Sequence, residues 1–482
     1  MSRRRSRATS VARAAAPVIV LMLVTGSLVA VASRHTSPHG SRSAHLALTS
    51  PSTSAPDGPP PSAPGTTSTA PPHPPRAAAA PAPASPPPGV LLDQQAGAVL
   101  AGLPSCLVVQ DGQTQVVARA PDAPLAPAST QKLLVGAAAL ALLGPGFRFD
   151  TMVSAPAPPH DGAVETLWLV GSGDPLLATS EYGAWLGRQP RTRDMPTTPL
   201  GLLADQLAAQ GVRTVRAGVH GDDSRYDRLR YLPSWDPKFG AENDVTPLAA
   251  LTVNGGLTRW DGAAVAAPDP AAYAASELAR LLHDRGVDAG GGADEAAPPT
   301  AVTIAHLASP PLGDVVAAML QTSDNLAAEL LTRELDRHAG GTGTTAGGTA
   351  VVMATAARLG LPAAGLQLID GSGLDGGNRA TCRLLLGALD LSAKPGFEAL
   401  SRGLAVAGRP GTLVHRWVGT PLAGRLAAKT GWTSTAAGMV GVLPGPHRLR
   451  FAFLANGPLP WPAAAGLEDR LIGALAAYAG AG

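Results

Sequence analysis

The chain has 482 residues, 45% of them hydrophobic, 4% aromatic and 15% charged, and Gly (56) with Pro (47) makes up about a fifth of it. That length predicts two or three domains with ample chain for a core. The apolar content excludes a wholly unstructured chain. The formal net charge is +2, but Arg3, Arg4, Arg5, Arg7 and Arg13 fall in the first 32 residues, which hold no Asp or Glu. The rest is slightly acidic and offers no basic stripe, which argues against a nucleic-acid partner.

The N-terminus reads as an export signal. The arginines precede an apolar run from Ala14 to Ala32, and Ala30-Val31-Ala32 gives an A-x-A-like cleavage site before Ser33. A cleaved signal and an uncleaved membrane anchor both fit a run of that length, and the flanking arginines place the remainder of the chain outside the membrane. No cysteine comes after the run within reach of a lipid-attachment site, so a lipid anchor is not expected. From 34 to 88 the chain is rich in Pro, Ala and Ser; residues 51–88 hold 15 prolines in 38 positions and only two charges, Asp57 and Arg76. Such a stretch cannot bury a core and predicts an extended spacer reaching on the order of 100 Å.

The folded part is expected from about Gly89. Cys106–Gln110 and Gln113–Ala118, joined by Asp111-Gly112, predict a β-hairpin. Next comes Pro127-Ala-Ser129-Thr-Gln-Lys132, running into the apolar Leu133–Leu143, which predicts a helix with Ser129 at its N-terminus. Lys132 then lies one turn on, on the same face. A serine hydroxyl needs a base, and a desolvated lysine can serve. Only four lysines occur among 37 basic residues (Lys132, Lys238, Lys394 and Lys429), so a lysine here stands out where arginine is otherwise used.

Two more motifs lie downstream. Ser323-Asp324-Asn325 sits between helical patterns at Leu312–Leu320 and Leu326–Arg337, positioned to project Ser323 and Asn325 into one cavity. Lys429-Thr430-Gly431 precedes strand-like Gly438–Leu443 and Leu449–Ala455 and is expected on an edge strand, offering a cation, a hydroxyl and close backbone approach. Each motif alone is weak, since Ser and Asp often cap helices. Their order, S-x-x-K, S-x-N, K-T-G, is the trio of penicillin-binding proteins and β-lactamases. The histidines show no H-E-x-x-H spacing, so neither a metal nor another cofactor is expected. No G-x-S-x-G elbow occurs, which removes an α/β-hydrolase. Cys106 and Cys382 are the only cysteines; a disulfide and two buried thiols both remain open.

From about Leu91 onward the chain resembles the D-alanyl-D-alanine carboxypeptidase/endopeptidase family of class C low-molecular-mass penicillin-binding proteins (peptidase S13, DacB-like). Beyond the trio, Leu169–Pro175, Gly218–Ser224, Asp370-Gly-Ser-Gly-Leu374 and Phe451–Gly457 are similar to the family's landmarks. The resemblance implies an α+β fold, the penicillin-binding/serine β-lactamase-like transpeptidase fold, with an antiparallel sheet flanked by helices and a large inserted domain. The catalytic domain would be 89–148 and 309–482 around an insertion at 149–308, strand-rich with a helix near Ala272–Asp284. It also implies an acyl-enzyme on Ser129, with Lys132 and Ser323 catalytic. Asn325, Lys429, Thr430 and Gly431 would bind substrate, and the backbone N–H groups of Ser129 and Trp432 would form the oxyanion hole. The implied partners are peptidoglycan stem peptides and β-lactam antibiotics, with membrane contact only through the N-terminal segment.

Two departures stand out: Trp432 comes after Lys-Thr-Gly where the family has a small or hydroxyl residue, and Asp375-Gly-Gly-Asn-Arg379 replaces its Ser-Arg. Asp370 and Ser372 are candidates to support the site from behind, with a glycine-rich turn (Gly371, Gly373) as the plainer account, and His415 reads as structural. The alternatives are a β-lactamase-like hydrolase, disfavoured because no E-x-x-L-N is present, and a non-catalytic cell-wall-binding protein of the same fold, disfavoured by the intact trio. An exported structural or adhesive protein would leave all three motifs unexplained.

Overall fold

A computed structural model describes residues 86–480. The arginine-flanked apolar run and nearly all of the proline-rich stretch lie outside them. Among the described residues no helix is long and apolar enough to cross a membrane.

The Asp-Gly hairpin forms between strands Ser105–Asp111 and Thr114–Arg119. Gly112 takes the left-handed φ of 57° that such a turn demands. Strand Ser105–Asp111 pairs antiparallel with Leu449–Asn456, so the first strands of the fold join the last. The resulting six-stranded antiparallel sheet runs in the order Ala405–Val406, Ala427–Thr433, Ala436–Leu443, Leu449–Asn456, Ser105–Asp111, Thr114–Arg119. Its inner strands Ala436–Leu443 and Leu449–Asn456 are buried nearly throughout rather than alternately, because both faces are covered.

One face carries helices Pro88–Leu100 and Trp461–Ala479, which pack Leu92, Ala96, Leu471 and Leu475 against Met439, Phe451 and Phe453. The first of these helices was not foreseen from the sequence. It has a proline at its start, where the missing N–H costs nothing, but only three buried residues and no strong apolar stripe. On the other face lie helices Lys132–Leu143, Leu312–Thr322, Asn325–His338 and Cys382–Asp390. Every residue from Lys132 to Leu140 is buried, so this helix is enclosed on all sides and its first residue is enclosed with it. Together these layers make the α+β architecture expected.

Cys106 and Cys382 form a disulfide, their Cα atoms 5.9 Å apart across 276 residues of chain. It ties the Ser105–Asp111 strand to the start of helix Cys382–Asp390.

Residues 150–308 build a second, mixed sheet. Strands Asp288–Asp294, Thr214–Asp222 and Leu167–Val170 run parallel, and Asp150–Ala155 and Val302–Ala308 continue antiparallel. Helices Gly201–Ala209 and Pro270–His283 cover it through Leu203, Leu207, Leu278 and Leu282. Asp269 caps the second helix by accepting from Ala272 N–H.

This region grips helix Asn325–His338. The fully buried Arg333 donates to the Leu229 carbonyl at 2.6 Å and lies 3.0 Å from the Asp227 carboxylate. Buried Glu334 accepts from Arg225 at 2.6 and 2.8 Å and from the Tyr226 hydroxyl at 2.9 Å. Buried charges persist only when paired in this way.

The disulfide closes a long loop in the unfolded chain. Replacing both cysteines by alanine should therefore cost about 2–5 kcal/mol, read as a lower midpoint in urea with a steeper slope, because the unlinked unfolded chain exposes more surface. An unchanged midpoint would show that packing alone holds this junction.

Candidate active site

The segment Ala128–Gln131 is a 3-10 turn that feeds directly into helix Lys132–Leu143. Ser129 therefore sits at the helix start that the sequence predicts, in a tight 3-10 turn that leads straight into the helix. The turn is closed locally: the Thr130 hydroxyl donates to the Pro127 carbonyl at 2.6 Å. Lys132 has no exposed surface. Its Nζ lies 2.8 Å from Ser129 Oγ, 2.7 Å from Asn325 Oδ1 and 2.6 Å from the Ser372 carbonyl oxygen. Burial drives its pKa down to about 7; Asp370, Glu329 and Asp324 pull it upward and Arg191 pushes it down. The neighbouring cation that assists is Arg191. A neutral amine can donate to Asn325 and Ser372 while its lone pair accepts from the Ser129 hydroxyl.

The Ser372 carbonyl is held by more than a turn. Glu329 Oε1 accepts from Gly371 N–H at 2.9 Å and Ser372 N–H at 2.7 Å. Asp370, fully buried, accepts from Gln131, Gly373 N–H and Asn378 with one oxygen and from Asp375 N–H and the Trp235 indole with the other. Reading Asp370-Gly-Ser-Gly as a plain glycine turn understated it, because this turn presents its carbonyl to the lysine. Gly373 has φ 89°, and a Cβ there would sit 2.1 Å from the Ala128 carbonyl oxygen. Only glycine permits that approach. Glu329 lies four residues after Asn325, on the same helical face, a spacing that the sequence does carry. Burial raises its pKa to about 7.

Ser323 takes a left-handed conformation (φ 58°, ψ 42°) between helices Leu312–Thr322 and Asn325–His338, and Asp324 caps the second by accepting from Ala327 N–H. That sharp reversal turns the Ser323 hydroxyl toward Lys429, whose Nζ donates to it at 2.9 Å. Lys429 is fully buried, and burial, then Lys132 and Arg191, push its pKa well below the ordinary lysine value. Asn325 sits in the first helical turn, receives Lys132 on Oδ1, and donates Nδ2 to the Asp244 carbonyl at 2.8 Å.

Lys429, Thr430, Gly431 and Trp432 lie on strand Ala427–Thr433. This strand is not strictly the edge: Ala405–Val406 pairs with Ala427 and Ala428, but no described strand pairs with Lys429–Thr433 on that side. Thr430 donates its hydroxyl to Thr412 at 3.0 Å. A Cβ on Gly431 would meet the Pro127 carbonyl oxygen and Thr130 N at 2.9 Å and Ser129 N at 3.1 Å. Glycine is what lets the strand lie against the turn bearing Ser129. Trp432 is 43% exposed, and its indole N–H donates to the Leu459 carbonyl at 2.9 Å.

Ser129, Ser323, Asn325, Thr430 and Trp432 line a single cavity of about 530 Å³. The contribution of residues 150–308 to it was not foreseen from the sequence. Arg191 reaches the Thr322 carbonyl, adjacent to Ser323, through Nε at 3.0 Å and also through Nη2, and it lines the cavity together with Lys238 and Asp244. Nothing in the sequence around Arg191 marks it. His415 lies outside this cavity, lining its neighbour. Among the described residues no cluster of His, Cys, Asp and Glu is arranged to hold a metal ion.

The family model for the D-Ala-D-Ala carboxypeptidase 3 (S13) family matches residues 94–263 and 258–477. The D-alanyl-D-alanine carboxypeptidase of Actinomadura sp. (strain R39) is 30% identical over 463 residues, covering 79% of this chain and 82% of that protein. Carboxypeptidase DacB of Mycolicibacterium smegmatis is 31% identical over 361 residues, covering 70% and 72%. Among solved structures, penicillin binding protein 4 from Haemophilus influenzae matches with a TM-score of 0.63 at 20% identity, over 79% of this chain and 98% of that one. That likeness shows the penicillin-binding fold. With its two family-model segments spanning nearly all the described residues, the chain belongs to the S13 family of D-Ala-D-Ala carboxypeptidases.

Proposed function

We propose that the chain is a serine-type D-Ala-D-Ala carboxypeptidase/endopeptidase that acts on peptidoglycan peptides through an acyl-enzyme and binds β-lactams covalently. The observation that carries this reading is the buried Lys132 amine, 2.8 Å from Ser129 Oγ, in one cavity with the Ser323–Lys429 pair. In the reaction Ser129 Oγ attacks the carbonyl of a D-alanyl peptide bond and passes its proton to Lys132 Nζ. The C–O bond to Ser129 forms, and the backbone N–H groups of Ser129 and Trp432 receive the developing oxyanion. The C–N bond then breaks as Ser323, held by Lys429, gives its hydroxyl proton to the leaving amine and is reprotonated with the proton that Lys132 took from Ser129. Water then attacks the ester, passing a proton to the again neutral Lys132, which returns it to Ser129 Oγ as the C–O bond breaks and the acid leaves. Asn325 holds the acyl-side peptide, while Lys429 and Thr430 hold the leaving residue's carboxylate and Gly431 allows the close fit.

A pKa near 7 suits this base: below it Lys132 is protonated and cannot accept from Ser129, and above it the amine is free. The arginine-flanked apolar run and the proline-rich stretch support a body exported to the cell envelope, where the substrate lies.

The test is release of D-alanine from an N-acyl-D-Ala-D-Ala peptide, with the intact mass before and after benzylpenicillin. The protein should release D-alanine and gain one stable penicilloyl adduct, and Ser129→Ala should do neither. Penicillin consumed without a stable adduct would favour a β-lactamase, and a folded protein inert to both would favour a non-catalytic wall binder.

Gly431→Ala should slow penicillin acylation about 100-fold by displacing the strand from Ser129. Acylation at the original rate would show that the turn yields around the added methyl group.

A further inference from the structure

Acyl transfer at Ser129 leaves a second hollow unused. It measures about 650 Å³, within the range that encloses a small organic ligand, and it shares Arg416 and Trp461 with the catalytic cavity. One wall is the last helix, Trp461–Ala479, and the other is the loop from His415 to Leu422. Trp417 in that loop holds a left-handed φ of 54°, a conformation that bulky side chains avoid and that persists only where the surroundings impose it. Thr420 imposes it, donating its backbone N–H (3.3 Å) and its hydroxyl (2.8 Å) to the Trp417 carbonyl. The Arg416 guanidinium lies 4.3 Å from the Trp417 ring and 5.6 Å from the Trp461 ring, so one cation bridges two indoles. Trp461 remains 47% exposed. The charge is matched within the protein: Arg416 donates to Glu468 and Asp469 at 2.7 Å each. Asp469 is still half exposed, and its second oxygen accepts no hydrogen bond among the described residues.

These features narrow the occupant. An anion would find Arg416 already matched and Asp469 opposing it. An extended peptide would find a helix and a loop, with no strand edge to pair with. A wholly apolar ligand would cover the Asp469 carboxylate without giving it a partner. A sugar ring suits both parts of the surface. Its C–H face lies flat on the electron-rich face of an indole, while the hydroxyl and amide groups around its edge reach Asp469, His415 and Thr420. We propose that this hollow binds the glycan strand of peptidoglycan, a β-linked chain of N-acetylated amino sugars, while the catalytic cavity holds a peptide that hangs from the strand. The two sites must then lie side by side, because a short peptide spans only about 3.5 Å per residue. They do, with two residues in common. The choice of sugar rests on the DD-peptidase reading above, and it adds a point of attachment that cleavage of the peptide does not itself require.

The probe is chitotetraose, an uncharged β-1,4-linked tetramer of N-acetylglucosamine that carries no peptide. It is titrated into the full chain and followed by tryptophan fluorescence and saturation-transfer NMR. The protein should bind it, and should bind it equally after benzylpenicillin has acylated Ser129, because the strand lies outside the catalytic cavity. Trp417→Gly removes the indole and suits the left-handed φ, so the loop keeps its backbone conformation. This variant should bind the tetramer about tenfold more weakly and still form the penicilloyl adduct. Trp461→Ala, at the exposed start of the last helix, should weaken binding in the same way, and thermal melts check that both variants fold. No binding, binding lost on acylation, or unchanged affinity in both folded variants, with the adduct forming normally, would overturn the glycan site alone. No binding and no penicilloyl adduct would overturn it together with the function it rests on.

Discussion

A lysine amine taken wholly out of water destabilises its own charged form, and Lys132 accepts that condition at the first residue of an enclosed helix. The three partners of its Nζ come from three parts of the chain: the Ser129 hydroxyl from the turn before it, Asn325 from a helix start, and the Ser372 carbonyl from a glycine-rich turn. Each needs its own support. Glu329 and Asp370 fix the turn that presents the Ser372 carbonyl, and both also draw the lysine toward its charged form. Burial outweighs them, which leaves the pKa near neutrality instead of near 10. The same carboxylates that place this amine therefore limit how far its pKa can fall.

The inserted region participates in this balance. Arg333 and Glu334 lock helix Asn325–His338 to it, so the position of Asn325 depends on contacts more than a full helical turn away. Trp235 donates to Asp370, Asp244 anchors Asn325, and Arg191 adds a positive charge that lowers both catalytic-cleft lysines. The insertion is thus coupled to the chemistry through hydrogen bonds and charge, in addition to shaping the cleft wall.

Much of this was legible in the sequence, for identifiable physical reasons. The hairpin carried its Asp-Gly turn, the helices carried their apolar runs, and lysine in an arginine-rich chain drew attention to Lys132 and Lys429. The three motifs named residues that the fold brings into one cavity. Other features had no local signature. Helix Pro88–Leu100 comes directly after a proline run and buries few side chains. The disulfide depends on a strand–helix contact between residues 276 apart. Asp370 and Glu329 act through backbone N–H groups, which a motif of side chains does not reveal. Arg191 works only because the insertion folds over Thr322.

Lysine scarcity makes the central claim directly measurable. With only four lysines in the chain, lysine labelled with ¹³C at Cε yields four resonances that can be followed through a pH titration by NMR, and Lys132→Arg identifies one of them. The account predicts that the Lys132 signal titrates with a midpoint near 7 in the free protein. A Lys132 that stays protonated through pH 9 would contradict it and would require another base for Ser129.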